Sequence, residues 1–492
     1  MATPIPANDC AFRLDEIAAA TGGQIIFGAP DTRVRGVSID TRTLNTGALF
    51  VALRGAQGRD GHTHLVEAAR RGAAAVLVAR GRSPAEAAGL AAVEVDDTLV
   101  ALGDLARHHL HRTRAARPLA SLAVGGAAGK TTTKELCAAA VRALFGETLA
   151  TPGNLNNLIG VPMTIFLLGT PHRAAVLECG TNTRGEISRL ARMVEPDVAL
   201  VLNVDVEHSE GLGSLEEIAD EEAALFATAR HAVVACAEER LVMARLPRGA
   251  EVVSFGTGAG CDVRVVAREP AAAGAGSRAT LELHPRLRAP GAPARLELSL
   301  ALLGEAAARN AAAALAAAAA LRARALEVAE LAAVARALAA VAPVAGRLNP
   351  RMLGDVLVID DTYNANPRSV RAALAAAAER AQAGRARLIV ALGDMLELGA
   401  LSAPMHAEIV RETLGLNPAA FVAVGPETTA ALELAERGQR DARVLTAPDS
   451  ATAAALVCAA VRAGDVVLVK GSRGLRMERI IEALEHKLGS RT

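Results

Sequence analysis

The sequence predicts a three-domain α/β protein built on doubly wound parallel sheets, and three observations carry that expectation. The chain has 492 residues, which at roughly 100–200 residues per domain corresponds to about three cores. Short apolar runs alternate with helical stretches along its length, the pattern of parallel strands with helices on both faces. A glycine-rich turn, Gly125-Gly126-Ala127-Ala128-Gly129, joins one such run to a helix start.

In the first part, 37–39 and 49–53 read as strands, 64–71 as a helix and 74–78 as a buried strand. The charged stretch 107–117, ending at Pro118, reads as a linker. Strands are then expected at 119–124, 174–177 and 198–202, with a helix from Thr131 onward. The Ala-, Gly- and Pro-rich segment 268–295 reads as hairpin loops in an inserted antiparallel part. Residues 306–342, nearly all alanine and leucine, need no more than helix propensity to explain them. A second linker is expected over 343–354, and strands at 356–359, 388–392, 421–424 and 466–469. The expected domains are 1–115, 116–342 and 343–492.

Composition removes several function classes. Hydrophobic residues make up 51% and charged residues 22%, a globular balance. Basic and acidic side chains number 53 each, so no broad basic surface for nucleic acid is expected. The longest uncharged apolar stretch, 310–321, is shorter than the ~18–20 residues of a membrane span. The first ten residues lack the basic start and apolar core of a secretory signal. The six cysteines form no CxxC pair, which fits a reducing, cytoplasmic setting and offers no zinc site. Lysine occurs only at Lys130, Lys134, Lys470 and Lys487, and tyrosine only at Tyr363. A chain that otherwise uses arginine keeps lysine where arginine cannot substitute.

The glycine turn continues as Lys130-Thr131-Thr132-Thr133. Such a turn curls the backbone so that N–H groups and a helix N-terminus face a phosphate. Gly126, Ala127, Ala128, Gly129 and Thr132 form the expected cradle. Lys130 is placed to reach the β/γ-phosphates and the Thr131 hydroxyl to hold Mg²⁺. Val124 stands where the full GxxxxGK[ST] pattern has its first glycine. Glu178 closes one apolar strand and His208 follows another, at the sheet edge where open α/β folds bind ligands. A carboxylate and an imidazole there can share a second metal ion beside a triphosphate.

With these residues the chain resembles the Mur ligases, ATP-dependent amide-bond formers of peptidoglycan precursor synthesis. The resemblance runs nearly end to end. Ser38-Ile39-Asp40-Thr41-Arg42 and Asp60-Gly61-His62 are similar to the family's uridine-nucleotide-binding domain. The segment 151–162, the run from Glu178 to Ile187, and Asn310, which resembles an adenine-contacting asparagine, follow in the middle. Asp360-Asp361-Thr362-Tyr363-Asn364-Ala365-Asn366-Pro367, the stretch 391–399 around Asp394, and Lys470-Gly471-Ser472-Arg473 follow at the end. The resemblance implies a small α/β N-terminal domain, a central P-loop ATPase-like domain and a C-terminal Rossmann-like domain. It also implies ATP, two Mg²⁺ ions and a monomer. Arg347 matches a γ-phosphate-contacting arginine and Asp361 a ribose-binding aspartate.

The implied chemistry phosphorylates the terminal carboxylate of UDP-N-acetylmuramoyl-tripeptide with ATP. The amine of D-alanyl-D-alanine attacks the acyl phosphate, and phosphate leaves. Substrate-binding roles carry over to Ser38, Asp40, Thr41, Arg42, Asp60, His62, Asn364, Asn366, Asp394, Lys470, Ser472 and Arg473. The family loop usually has Thr-Gly-Ser where this chain has Gly125, Gly126 and Ala127. Where the family carries a CO₂-carbamylated lysine that ligates the second Mg²⁺, this chain has Glu222. Glu222 offers hard oxygen ligands on a shorter stem and is expected to join Lys130, Glu178 and His208 in catalysis. A catalytically reduced homologue that binds UDP-sugar peptide or ATP as an interaction protein is the second reading.

Overall fold

The structure, a computed structural model, describes residues 3–55, 60–82, 89–206, 209–271, 276–435 and 443–489. These contain sheets of five, nine and six strands and a two-stranded ribbon. The first sheet runs in the order Gln24–Phe27, Ala91–Val95, Ala75–Ala79, Leu49–Val51, Val37–Ser38, antiparallel only at its first pair.

The expected linker at 107–117 is instead the second half of a helix, Thr98–Ala116. Asp97 caps it, accepting from the Leu99 and Val100 amides. Leu102, Leu105, Ala106, His109, Leu110 and Thr113 form a buried stripe at helical spacing. The charges that suggested a linker lie on the opposite face, where Arg107 and His111 both pair with Glu195 of the central domain. His109 joins the two domains more closely, edge-on to Phe12 at 5.8 Å and 6.1 Å from Phe166. Its Nε2–H donates to the Leu168 carbonyl and its Nδ1 accepts from Arg112, so the ring is neutral.

Burial pushes His109 down from 6.5 to about 4. The unfolded chain therefore takes up this proton near pH 6.5, whereas the folded chain resists until about pH 4. Stability is expected to fall as pH drops through that window, by up to about 3 kcal/mol from this ring. Urea unfolding at pH 7 and pH 5 checks this. Replacing His109 with glutamine should flatten the difference, and an unchanged slope would remove His109 as its source.

The central sheet is ordered Arg295–Leu300, Ser277–Leu283, Val263–Pro270, Glu251–Gly256, Ala232–Cys236, Val198–Val201, Ala120–Gly125, Ala174–Glu178, Thr148–Ala150. From Val263 back to Thr148 neighbours are parallel, and the last two additions are antiparallel. Chain order reverses at Ala120–Gly125, flanked on one side by Ala174–Glu178 and on the other by Val198–Val201. That is a topological switch point, which opens a crevice at the C-terminal strand ends. The inserted part is more regular than the expected hairpin loops. Leu296, Leu298 and Leu300 are buried between exposed neighbours, a period of two. They share a core with the alanine-rich helix Gly304–Arg322. That helix packs against the helix after the glycine turn, and its small side chains let both approach the sheet. None of the described helices is long and apolar enough to cross a membrane.

The third sheet runs Asn349–Leu353, Val356–Asp361, Val466–Lys470, Leu388–Gly393, Ala420–Val424, Val444–Ala447, parallel except for its first pair. Half of the expected linker at 343–354 is thus a strand. Gly354-Asp355 forms a two-residue hairpin turn, with Leu353 opposite Val356 and Gly354 at φ +57°. As an edge strand without buried residues, Asn349–Leu353 has no hydrophobic alternation to announce it.

The third domain is docked on the second. Helix Pro367–Gly384 lies against Gly304–Arg322, close enough that a Cβ on Gly304 would be 3.0 Å from that of Ala376. Arg268 pairs with Glu379 at 2.6 Å, and Arg368 with Glu239. Arg380 donates to the carbonyls of Ala271 and Gly276.

Candidate active site

The phosphate-type loop sits where the topology requires, between strand Ala120–Gly125 and helix Lys130–Phe145. Gly129 has φ +86°, and a side chain there would also press on Asn310, whose Oδ1 lies 3.3 Å from the Cβ position. Three successive loop amides are held by the protein. Gly126 N–H donates to Glu222 Oε2 at 2.7 Å, Ala127 N–H to the Asn203 carbonyl at 3.0 Å, and Ala128 N–H to Asn203 Oδ1 at 2.8 Å. Asn203 Nδ2 returns a bond to the Ala128 carbonyl. The amides of Lys130, Thr131 and Thr132, in the helix's first turn, have no intrahelical acceptor and form the positive end of its dipole. The Lys130 ammonium folds over the loop onto the carbonyls of Gly126 and Ala127.

Glu178, at the end of the neighbouring strand, is buried. Its Oε1 accepts from Thr131 Oγ1 at 3.1 Å and from Asn156 Nδ2 at 2.8 Å. Its Oε2 is buried without a hydrogen-bond partner among the described residues, an uncommon and costly state for a carboxylate oxygen. Glu222, also buried, lies under the loop on the other side. It comes close to Gly125, where a Cβ would be 3.1 Å from Glu222 Oε2 and 3.0 Å from Leu225 Cδ2. Its neighbour Glu221 caps helix Glu186–Val194 through the amides of Gly185 and Ile187. His208 lies outside the described residues. Among those described, no three His, Cys, Asp or Glu side chains are grouped to hold a metal ion.

The third domain supplies the opposite wall of a cavity of about 630 Å³. Asp361 and Lys470 are register partners on adjacent parallel strands, and their side chains pair at 2.6 Å, with Lys470 almost fully buried. Lys470 Nζ also donates to the Asn364 carbonyl at 2.8 Å, and Asp361 Oδ1 accepts from Leu348 N–H. Arg347 lies 4.1 Å above the ring of Tyr363, so the one tyrosine serves as a platform for an arginine. At the far end, Phe255, Leu302 and Cys236 make an apolar wall beside Asn310. Burial pushes the Cys236 thiol up to about 12, which leaves that wall uncharged.

The structure brings Ala127, Ala128, Gly129, Lys130, Thr132, Glu178, Asn310, Arg347, Asp361, Asn364, Asn366 and Lys470 to this one cavity. Ser472 and Arg473 line a smaller one of about 120 Å³ beside it, shared with Asn364 and Asn366. Asp394 is turned inward, where its Oδ1 accepts from the amide and hydroxyl of Thr428. In the first domain, Ser38 and Asp40 border a separate small recess, and Arg42 pairs with Asp40 on the turn that Thr41 begins. His62 is buried, donating from Nδ1 to Asp60 and accepting the Ala79 amide at Nε2. Both its ring nitrogens are used within the fold. Asn156 and Asn203 hold Glu178 and the loop, yet sequence reasoning gives them no role. Asn156 does lie in the segment 151–162 that resembles the family, whereas Asn203 is signalled only as an asparagine after a strand end.

Comparison with known proteins decides the family. Residues 124–318 match the Mur ligase middle domain, 346–473 the Mur ligase glutamate ligase domain and 33–110 the Mur ligase family catalytic domain. The chain is 32% identical over 483 residues to the UDP-N-acetylmuramoyl-tripeptide–D-alanyl-D-alanine ligase of Treponema pallidum, covering 95% of this chain and 97% of that one. It belongs to the Mur ligase family. The ligase of the same name from Escherichia coli is 33% identical over 461 residues, covering 92% and 94%. Among solved Mur ligases, MurF from Acinetobacter baumannii superposes with a TM-score of 0.83 at 28% identity, over 97% of this chain and all of that one. MurF from Thermotoga maritima, solved in complex with ADP, gives 0.77 at 25% identity over 93% and 98%.

Proposed function

We propose that this Mur ligase joins D-alanyl-D-alanine to UDP-N-acetylmuramoyl-tripeptide with ATP, in the cytoplasm and as a monomer, with domains divided after residues 115 and 342. The observation that carries the reading is the shared cavity, where the phosphate loop of one domain faces the Asp361–Lys470 pair and Arg347 of another. A carboxylate is a poor acyl donor, and phosphorylation gives it a leaving group. The terminal carboxylate oxygen attacks the γ-phosphorus and ADP departs. The dipeptide amine then attacks the acyl carbon, loses a proton, and phosphate departs.

The chain's own groups have distinct tasks in this scheme. First-turn amides and Lys130 hold the phosphates, and Arg347 meets the γ-phosphate from the third domain. Asp361 takes the ribose and Asn310 the adenine side. Asn364, Asn366, Lys470, Ser472, Arg473 and Asp394 shape the acceptor side, with Asp394 acting through the helix it caps. Ser38, Asp40, Thr41, Arg42, Asp60 and His62 serve the uridine end.

Glu178 fits a Mg²⁺ site, because one of its oxygens is buried without a partner among the described residues and hard oxygens are what Mg²⁺ takes. Thr131 and Glu178 would hold one ion, and His208 with Glu222 complete the set for two. Mg²⁺ bound there offsets the charge on the phosphoryl oxygens.

The test is ADP and phosphate release by purified protein with ATP and Mg²⁺, each substrate omitted in turn. Release should require both UDP-N-acetylmuramoyl-tripeptide and D-alanyl-D-alanine. Binding of the UDP-substrate without turnover would favour the catalytically reduced homologue instead.

A further inference from the structure

Of the four lysines, Lys130 and Lys470 border the cavity and Lys487 bonds the Cys458 carbonyl at the surface. Lys134 is different, because it has no solvent exposure at all. It sits on the phosphate-loop helix, one turn beyond Lys130 and Thr131. Its ammonium donates to the Thr151 carbonyl at 2.8 Å and pairs with Glu135. We propose that Lys134 is a positioning residue that fixes Glu178 against the phosphate loop and so couples nucleotide binding to Mg²⁺, an inference that rests on the ligase reading above.

The connection is short and continuous. Thr151, gripped at its carbonyl by Lys134, accepts the Glu178 amide on its own hydroxyl at 2.9 Å. Its amide donates to Val176, two residues before Glu178 on the same strand. The segment it opens carries Asn156, which binds Glu178 Oε1. Thr131, three residues before Lys134 on the helix, binds the same oxygen. Glu178 is thereby held at its backbone and at one oxygen, leaving Oε2 without a partner among the described residues. Lys134 ties the helix carrying Thr131 to the segment carrying Thr151 and Asn156.

Stability alone does not account for a cation there. A buried ammonium loses several kcal/mol of hydration, and an apolar side chain of similar volume often serves a core better. Its one carboxylate partner, Glu135, is 39% exposed and recovers only part of that loss. Arginine, which this chain uses almost everywhere else, has a wider planar head that a single carbonyl does not match.

The test is titration of full-length protein with a fluorescent N-methylanthraniloyl ATP, in EDTA and in excess Mg²⁺. Wild-type protein should bind more tightly with Mg²⁺. Lys134→Met should keep its EDTA affinity within about threefold and lose about tenfold of the Mg²⁺-linked tightening, about one hydrogen bond's worth. Lys134→Gln, which retains an N–H donor, should recover part of it and serves if the methionine variant does not fold. Thr151→Val should reproduce the loss, and the double variant should add little, because both act through one chain of contacts. A folded Lys134→Met or Lys134→Gln protein with a lower melting temperature but full Mg²⁺-linked tightening overturns the assignment. Wild-type protein that binds no nucleotide would overturn the ligase reading itself, and this inference with it.

Discussion

Replacing Lys130 with methionine is expected to lower turnover at saturating substrates by about 10³-fold, or roughly 4 kcal/mol of transition-state stabilisation. The first-turn amides supply only partial positive charge, about half a unit spread over the helix terminus. Lys130 is the full cation on the loop itself, and its stem already curves over the loop to the Gly126 and Ala127 carbonyls. An incoming triphosphate exchanges those carbonyl contacts for phosphate oxygens without moving the helix. Methionine keeps the stem's packing and removes the charge, so the melting temperature should stay within a few degrees. Binding of the UDP-substrate, proposed for the first domain, should not change. ADP release measured beside thermal unfolding separates these effects. A loss under tenfold would mean that the amides and Arg347 alone carry the phosphates.

That site was legible in the sequence because its decisive features are local. The glycine turn, Lys130 and Thr131 are consecutive, and the strand before them is a continuous apolar run. Three strands of the central sheet and four of the third were readable for the same reason, since buried parallel strands are hydrophobic throughout, although Ala232–Cys236, equally buried, was not read. Features made by contacts distant in sequence were not readable. Asn203 reaches a loop 75 residues earlier and Lys134 a carbonyl 17 residues later, and neither belongs to a periodic pattern. The helix at 107–116 was hidden by charges on its outer face, and the strand Asn349–Leu353 by its lack of a buried face. Several motif residues proved to work inside the fold. Asp394 caps a helix, Ser472 Oγ accepts the Leu396 amide, and His62 spans Asp60 and Ala79. A motif marks where a site is built without saying which of its members touch the ligand.

Glu222 combines the local and the distant, and its replacement by alanine is expected to cut turnover by about 10²-fold, or roughly 3 kcal/mol. One contribution is to the loop. Without the carboxylate, the buried Gly126 amide loses its 2.7 Å acceptor, a cost of about 1–3 kcal/mol. The loop would relax away from Asn203 and spread the first-turn amides. The other contribution is the negative charge that Glu222 brings to a site proposed for two Mg²⁺ ions. Glu222→Gln separates the two, since its amide oxygen can still accept from Gly126 while the charge is gone. A Gln variant near wild type would assign Glu222 to the loop alone. The close approach of Glu222 to Gly125 adds a further expectation. With threonine at 125, the added Cβ would lie 3.1 Å from Glu222 Oε2 and 3.0 Å from Leu225 Cδ2, so Gly125→Thr should shift the Glu222 carboxylate by a few tenths of an ångström and lower turnover modestly. Because no lysine lies between Lys134 and Lys470, the segment around Glu222 has none to carry a carbamate. Turnover should therefore be the same in CO₂-depleted buffer and with bicarbonate restored. Bicarbonate-dependent turnover of the wild-type protein, or full activity of Glu222→Ala, would show that Glu222 does not stand in for that ligand.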